Sequence, residues 1–203
     1  MDHTQLTRLL DVIETDIVPL TRAGVSAGNK LFGAAILRKD DLSLVVAATN
    51  NEIENPLWHG EIHAIKKFYE LPAQNRPAAK DCVFLATHEP CSLCLSGITW
   101  SGFDNFSYFF SHQDSADSFA IPYDIQILKA VYAVPDPGRT QAAPDRDLYN
   151  RNNAYFTSTD LAVLLPQFGD PELAATAQRL HATYDELSQI YQADKGDKGI
   201  PLS

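Results

Sequence analysis

Two short segments restrict this chain more than any other feature. The first, His59-Gly60-Glu61-Ile62-His63-Ala64-Ile65, places two imidazoles and a carboxylate within roughly one and a half helical turns of an otherwise apolar run. The second, Glu89-Pro90-Cys91-Ser92-Leu93-Cys94, carries a C-x-x-C thiol pair, the other common source of zinc ligands. For both to serve one centre, the fold has to set two helix N-termini side by side, each following a sheet strand.

The order of elements along the chain permits this. Leu6, Leu9, Leu10, Ile13 and Ile17 recur at spacings of three and four, which predicts an amphipathic first helix ending around Gly24 to Gly28. Leu31 to Lys39 and Leu42 to Asn50 read as a hairpin about the turn pair Asp40-Asp41. Pro56 introduces a helix over Trp58 to Glu70, Asp81 to Thr87 is a short buried strand, and a helix follows from Cys91 to about Trp100. Phe106 to Ser111 gives a fourth strand and Ile127 to Val134 a fifth. Pro135 to Pro144 is a loop rich in Pro, Gly, Asp and Ala, Pro171 opens a last helix with Leu173, Leu180, Tyr184, Leu187 and Tyr191 on one stripe, and the end of the chain is a solvated tail. The expected fold is α/β, a three-layer α/β/α arrangement with a mixed central sheet of about five strands. The 203 residues suit one domain, its core over about 1–134 and a C-terminal helical extension over about 145–193.

The formal charge of −10 repels polyphosphate chains and anionic membranes, and Lys66-Lys67 lies beside Glu61 and Glu70 as a solvated helix face. Nucleic acid and membrane are therefore not the expected partners. No apolar run has the length to cross a bilayer, and "MDHTQLTRLL" lacks the basic start and apolar core of a signal peptide. With three cysteines, too few for a disulfide framework, the expected compartment is the cytoplasm.

Cys91 and Cys94 are three apart in a first helical turn, so their sulfurs point to one side, and the unpaired N–H groups there favour thiolates. With His59 as third ligand, the fourth tetrahedral position of a Zn²⁺ ion stays open for water, the arrangement of a catalytic site. Such water has a pKa near about 7 rather than about 15.7. Glu61, two residues beyond His59 and projecting to another side, is free to act as the base. H-x-E followed about thirty residues later by P-C-x-x-C is the signature of zinc deaminases.

Other readings compete at several of these positions. A redox pair fits Cys91 and Cys94 poorly because of their Ser-Leu interior and the upstream H-x-E, and half of a four-cysteine site fits poorly because the only other cysteine, Cys82, lies in a strand run where a small buried residue is expected. His59 and His63 have the four-residue spacing of zinc proteases, but those read H-E-x-x-H, whereas Gly60 follows His59 here; His63 is expected to support or pack. Trp58 and Trp100 either wall a flat ligand or belong to the core, and Tyr155 and Phe156 stand under the same alternative.

Over roughly Leu31 to Val134 the residues resemble the cytidine deaminase-like superfamily, in the branch of tRNA adenosine deaminases and bacterial guanine deaminases. "FGAAI" at Phe32 to Ile36, "NN" at Asn50-Asn51, "HGEIHAI" and "EPCSLCLSGITW" resemble that branch's sequence blocks. The resemblance implies zinc ligation by His59, Cys91 and Cys94, proton shuttling by Glu61, a base-binding role for Asn50 or Asn51, and a homodimer. "SHQDSAD", Ser111 to Asp117, is similar to a guanine deaminase segment in which an aspartate reads the purine, so Asp114 either recognises the base or caps a helix. Gly60 stands where the branch usually has alanine. The implied reaction is hydrolytic deamination of a free nucleobase or small aminated heterocycle, a purine such as guanine first, with backbone N–H groups near Cys91 and Gly33 facing the product oxygen. An RNA or nucleoside deaminase of the same chemistry, and a non-catalytic zinc module, are the alternatives.

Overall fold

The computed structural model describes residues 1–131, 149, 151–152 and 155–194. The amphipathic N-terminal run forms α1 (His3–Val12) and α2 (Val18–Ser26), joined through a π-helical turn over Ile13–Ile17. Asp2 begins α1 with a capping box, its carboxylate accepting the Gln5 amide while the Gln5 side chain accepts the Asp2 amide. Then come β1 (Gly33–Arg38), β2 (Leu44–Thr49), α3 (Gly60–Glu70), β3 (Cys82–His88), α4 (Ser92–Trp100), β4 (Asn105–Phe110), α5 (His112–Asp117), α6 (Tyr123–Val131), β5 (Thr157–Asp160), α7 (Leu161–Leu164) and α8 (Pro171–Asp194).

The sheet is ordered β2-β1-β3-β4-β5. β1 pairs antiparallel with β2 and β3, whereas β3–β4 and β4–β5 are parallel, so the five-stranded sheet is mixed as expected. The alternation of side chains along a strand then divides the core in two. Ala35, Leu37, Leu85 and Phe109 face one layer with Leu6, Leu9, Val25, Leu180 and Tyr184, from α1, α2 and α8. Ala34, Ile36, Phe84, Ala86 and Tyr108 face the other, with Ala64 and Phe68 of α3 and Ile98 of α4. The stripe foreseen on the last helix is buried, from Leu173 to Tyr191.

The fifth strand is not where the sequence places it. Ile127 to Val131 belong to α6, Tyr132 to Val134 lie outside the described residues, and β5 is instead the polar segment Thr157–Asp160 at the sheet edge. A short apolar run such as "ILKAV" has no periodicity that separates helix from buried strand. The expected loop from Pro135 to Pro144 and most of the expected tail also lie outside the described residues.

The parallel step from β3 to β4 through α4, and the β2-to-α3 connection, bring the starts of α3 and α4 to the same end of the sheet. The first of these fits tightly. A Cβ built on Gly60 would stand 2.7 Å from the Gly33 Cα and 2.9 Å from the Phe32 carbonyl oxygen, so α3 begins in direct backbone contact with β1. This gives the glycine a physical reason. Gly60→Ala is expected to push α3 off the sheet and to cost about 1–3 kcal/mol of stability, an overpacking penalty that chemical denaturation would read.

Candidate active site

Both motif segments meet at these helix starts. His59 is the N-cap residue of α3, Cys91 is the N-cap residue of α4, and Cys94 lies in the first turn of α4. The ligand atoms of His59, Cys91 and Cys94 lie within 4.8 Å of one another. His59 Nδ1 is 3.4 Å from Cys91 Sγ and 3.7 Å from Cys94 Sγ. A nitrogen about 2.0–2.1 Å and a sulfur about 2.3 Å from one tetrahedral ion stand about 3.6 Å apart. The donor set therefore fits zinc in chemistry and in spacing, with Nδ1 as the ligating nitrogen.

The cluster's electrostatics follow from its burial. The Cys91 thiol is driven well below its ordinary range by the Cys94 thiol's hydrogen bond and by His59, against the effect of burial. Burial drives the Cys94 thiol the other way. His59 is raised to about 9: burial opposes the charge, but the hydrogen bond and charge of Cys91, with Glu61 and Glu52, outweigh it. Glu61, 5% exposed, is pushed up to about 7, by burial first and then by the negative charge of Cys91. Its carboxyl interacts with the Cys94 thiol.

The loop carrying the thiols is clamped from beneath. Glu89, buried, accepts the His112 amide at 2.9 Å, the Tyr149 hydroxyl at 2.7 Å and the Arg151 guanidinium at 3.1 Å. His112 Nε2 meets the Pro90 carbonyl oxygen at 3.1 Å. Charge-assisted bonds of this kind hold the segment just before Cys91 in one geometry.

A cavity of about 350 Å³ opens onto His59 and Cys91, at the small end of the range for small-molecule sites. Lys30, Phe32, Glu52, Leu93, Tyr123 and Asp124 are among its walls. Asp124 has no hydrogen-bond partner among the described residues, and its carboxyl is raised to about 6 by burial first and by Cys91.

The other residues singled out in the sequence are dispersed. Asn50 has both ends of its amide engaged: Nδ2 donates to Glu52 at 2.9 Å and Oδ1 accepts the Gly60 amide at 2.6 Å. Gly33 donates its N–H to the Thr87 hydroxyl at 2.9 Å. Asp114 completes a capping box, accepting the Ser111 amide at 2.8 Å and hydroxyl at 2.7 Å. Trp100 is 91% exposed and borders a different depression, with Tyr155 and Phe156. Trp58 stacks on His63 at 5.9 Å, and His63 Nδ1 donates to the Thr49 carbonyl oxygen at 2.8 Å. Three charged cavity residues went unforeseen. Asp124 gives one signal, a lone carboxylate inside the apolar run of α6; Lys30 and Glu52 give none, since each sits in a loop where charge is ordinary.

Residues 16–110 match the model of the cytidine and deoxycytidylate deaminase zinc-binding region. A guanine deaminase of Bacillus subtilis (strain 168) is 31% identical over 104 residues, 50% of this chain and 64% of that protein, so the chain spans less than two thirds of the length of this curated relative. Among solved structures, a guanine deaminase from Bacillus subtilis is similar with a TM-score of 0.50 and 23% identity, over 77% of this chain and 100% of that one. The protein NE0047, solved in complex with 2,6-diaminopurine, has a TM-score of 0.50 and 20% identity, over 89% of this chain and 80% of that one. Residues 16–110 are thus similar to the cytidine and deoxycytidylate deaminase zinc-binding region, and the fold is that of the solved guanine deaminase it resembles.

Proposed function

We propose that the protein is a zinc-dependent hydrolytic deaminase of a free purine base such as guanine. The observation that carries this is the His59, Cys91 and Cys94 donor set at zinc-ligand spacing, with Glu61 buried against it and a small cavity opening onto it. When bound, zinc supplies acidification of water at its open position. Glu61 takes one proton from the attacking water and gives it to the ring nitrogen, then takes the second from the newly added hydroxyl and gives it to the departing amine, so that an amino group and water become a carbonyl group and ammonia. Phe32, Leu93 and Tyr123 offer flat and apolar wall to a planar ring.

The purine preference draws on the guanine deaminase relative and on NE0047, whose ligand is an aminopurine. Asp124 gives it a chemical basis in this chain, in place of Asp114, whose oxygens serve the α5 cap. A carboxylate facing the cavity accepts N–H donors, and guanine presents ring N–H and amino donors on one edge. Asp124→Asn is expected to cost about 2–4 kcal/mol of transition-state stabilisation on a guanine-like substrate, because donors are left unpaired. Asp114→Asn should leave kcat/KM on the same base near wild type. The proposal extends to a cytoplasmic homodimer: all three cysteines are free thiols, which suits a reducing compartment, and Trp100 offers exposed apolar surface to a second copy.

The test is an ammonia-release screen over guanine, other aminopurines, cytosine, their nucleosides and aminated triazines. Turnover of a free aminopurine above the nucleosides is the expected result. A clear preference for a nucleoside or a pyrimidine would overturn the substrate assignment while leaving the deaminase chemistry standing.

A further inference from the structure

Glu52 is a buried carboxylate with an unusual set of attachments. Its Oε1 accepts the Lys30 ammonium at 2.8 Å, and its Oε2 accepts the Lys30 amide at 3.2 Å and the Asn50 side-chain amide at 2.9 Å. The side chains of Glu52 and Lys30 are 1% and 8% exposed. The same Oε1 stands 3.9 Å from His59 Nε2. On the far side of the network, Asn50 Oδ1 accepts the amide of Gly60, the residue after His59, at 2.6 Å. The chain Lys30–Glu52–Asn50–Gly60 therefore holds the backbone that follows His59 and sets a carboxylate oxygen 3.9 Å from its ring.

We propose that Glu52 is a positioning residue for His59, the carboxylate that fixes which ring nitrogen faces the metal. His59 Nδ1 faces the two sulfurs, so its lone pair is the one offered to the ion. Nε2 must then carry the hydrogen, and an acceptor on that side selects this tautomer and restrains the ring. Glu52 Oε1 is about 1 Å beyond hydrogen-bonding length, so the proposal requires the ring to turn toward it when the metal binds. Lys30 has a second part in this. A buried carboxylate would be costly unpaired, and the Lys30 ammonium offsets its charge while Oε1 stays turned toward the ring. Stability alone is a weak reason for such a pair, since buried ion pairs often contribute little net stability. Its place against a ligand histidine supplies a better one.

This inference rests on the metal-centre reading of His59, Cys91 and Cys94, and on no choice of substrate. The test is zinc affinity, measured by competition with a chromogenic chelator, on wild type, Glu52→Gln, Lys30→Met and the double variant, with thermal melting followed for each. Glu52→Gln is expected to weaken zinc binding by about 10–100-fold. That variant strands the Lys30 charge and can lose folding, so the double variant carries the decision. It removes both buried charges, regains a wild-type melting temperature, and is expected to keep the weakened affinity, whereas Lys30→Met alone keeps zinc. Wild-type affinity in the folded double variant would overturn the proposal and reduce the pair to packing. A wild-type protein that binds no zinc would instead remove the metal centre itself.

Discussion

Replacing Cys91 by alanine is expected to strip zinc from the protein and abolish turnover, while Cys82→Ala leaves the metal in place. Cys91 is one of three donors that meet here among the described residues, and a site reduced to two cannot hold the ion against solvent and competing ligands. Its thiol is also the one pushed toward thiolate, the form that binds metal. Cys82 differs in every respect. It is fully buried at the start of β3, its thiol donates to the Ala78 carbonyl oxygen at 3.4 Å, and burial raises it to about 11. Removing that sulfur costs a small core defect, about 1 kcal/mol, with no effect at α4. Elemental analysis of the two purified variants separates the cases, and equal zinc loss from both would refute the ligand assignment.

Glu61→Gln should have the opposite zinc phenotype and a comparable loss of activity. The amide keeps the volume of the buried side chain, so packing around the α3 N-terminus is preserved and zinc stays at one per chain. It cannot accept a proton from water and hand it on, and kcat is expected to fall by about 10²–10⁴-fold. A fall in kcat with little change in KM marks an interaction made in the transition state. Survival of more than a tenth of wild-type turnover, with zinc bound, would mean that another group carries the proton.

The parts of the site legible in the sequence are those whose chemistry fixes a local spacing. His59 and Glu61, and Cys91 and Cys94, lie within single helical turns, so their geometry is written in residue intervals, and the structure brings the donor atoms of His59, Cys91 and Cys94 together. The strands β1 to β4 were legible for a related reason, since their apolar runs are bounded by turn residues. Residues that meet only through the fold left no such trace. Lys30 and Glu52 are 22 positions apart and pair across two loops, and Asp124 reaches the cavity through the placement of α6. Asp114 shows the converse: S-x-x-D is a helix-capping pattern, and here the local use of the carboxylate prevails. β5 was hidden because "TSTD" is short, polar and at the sheet edge. Gly60 was visible only as a departure from a familiar pattern; the 2.7 Å approach to Gly33 gives it a cause.

The central claim is that this donor set, loaded with zinc, releases ammonia from a purine. It is tested most directly by measuring ammonia release from guanine against zinc content, in protein stripped by chelator and reloaded in steps. The account predicts no release from the stripped protein, a rate rising in proportion to zinc up to one per chain, and one ammonia for each xanthine formed. A rate independent of zinc content, or no ammonia from guanine or any screened aminopurine at full occupancy, would contradict it.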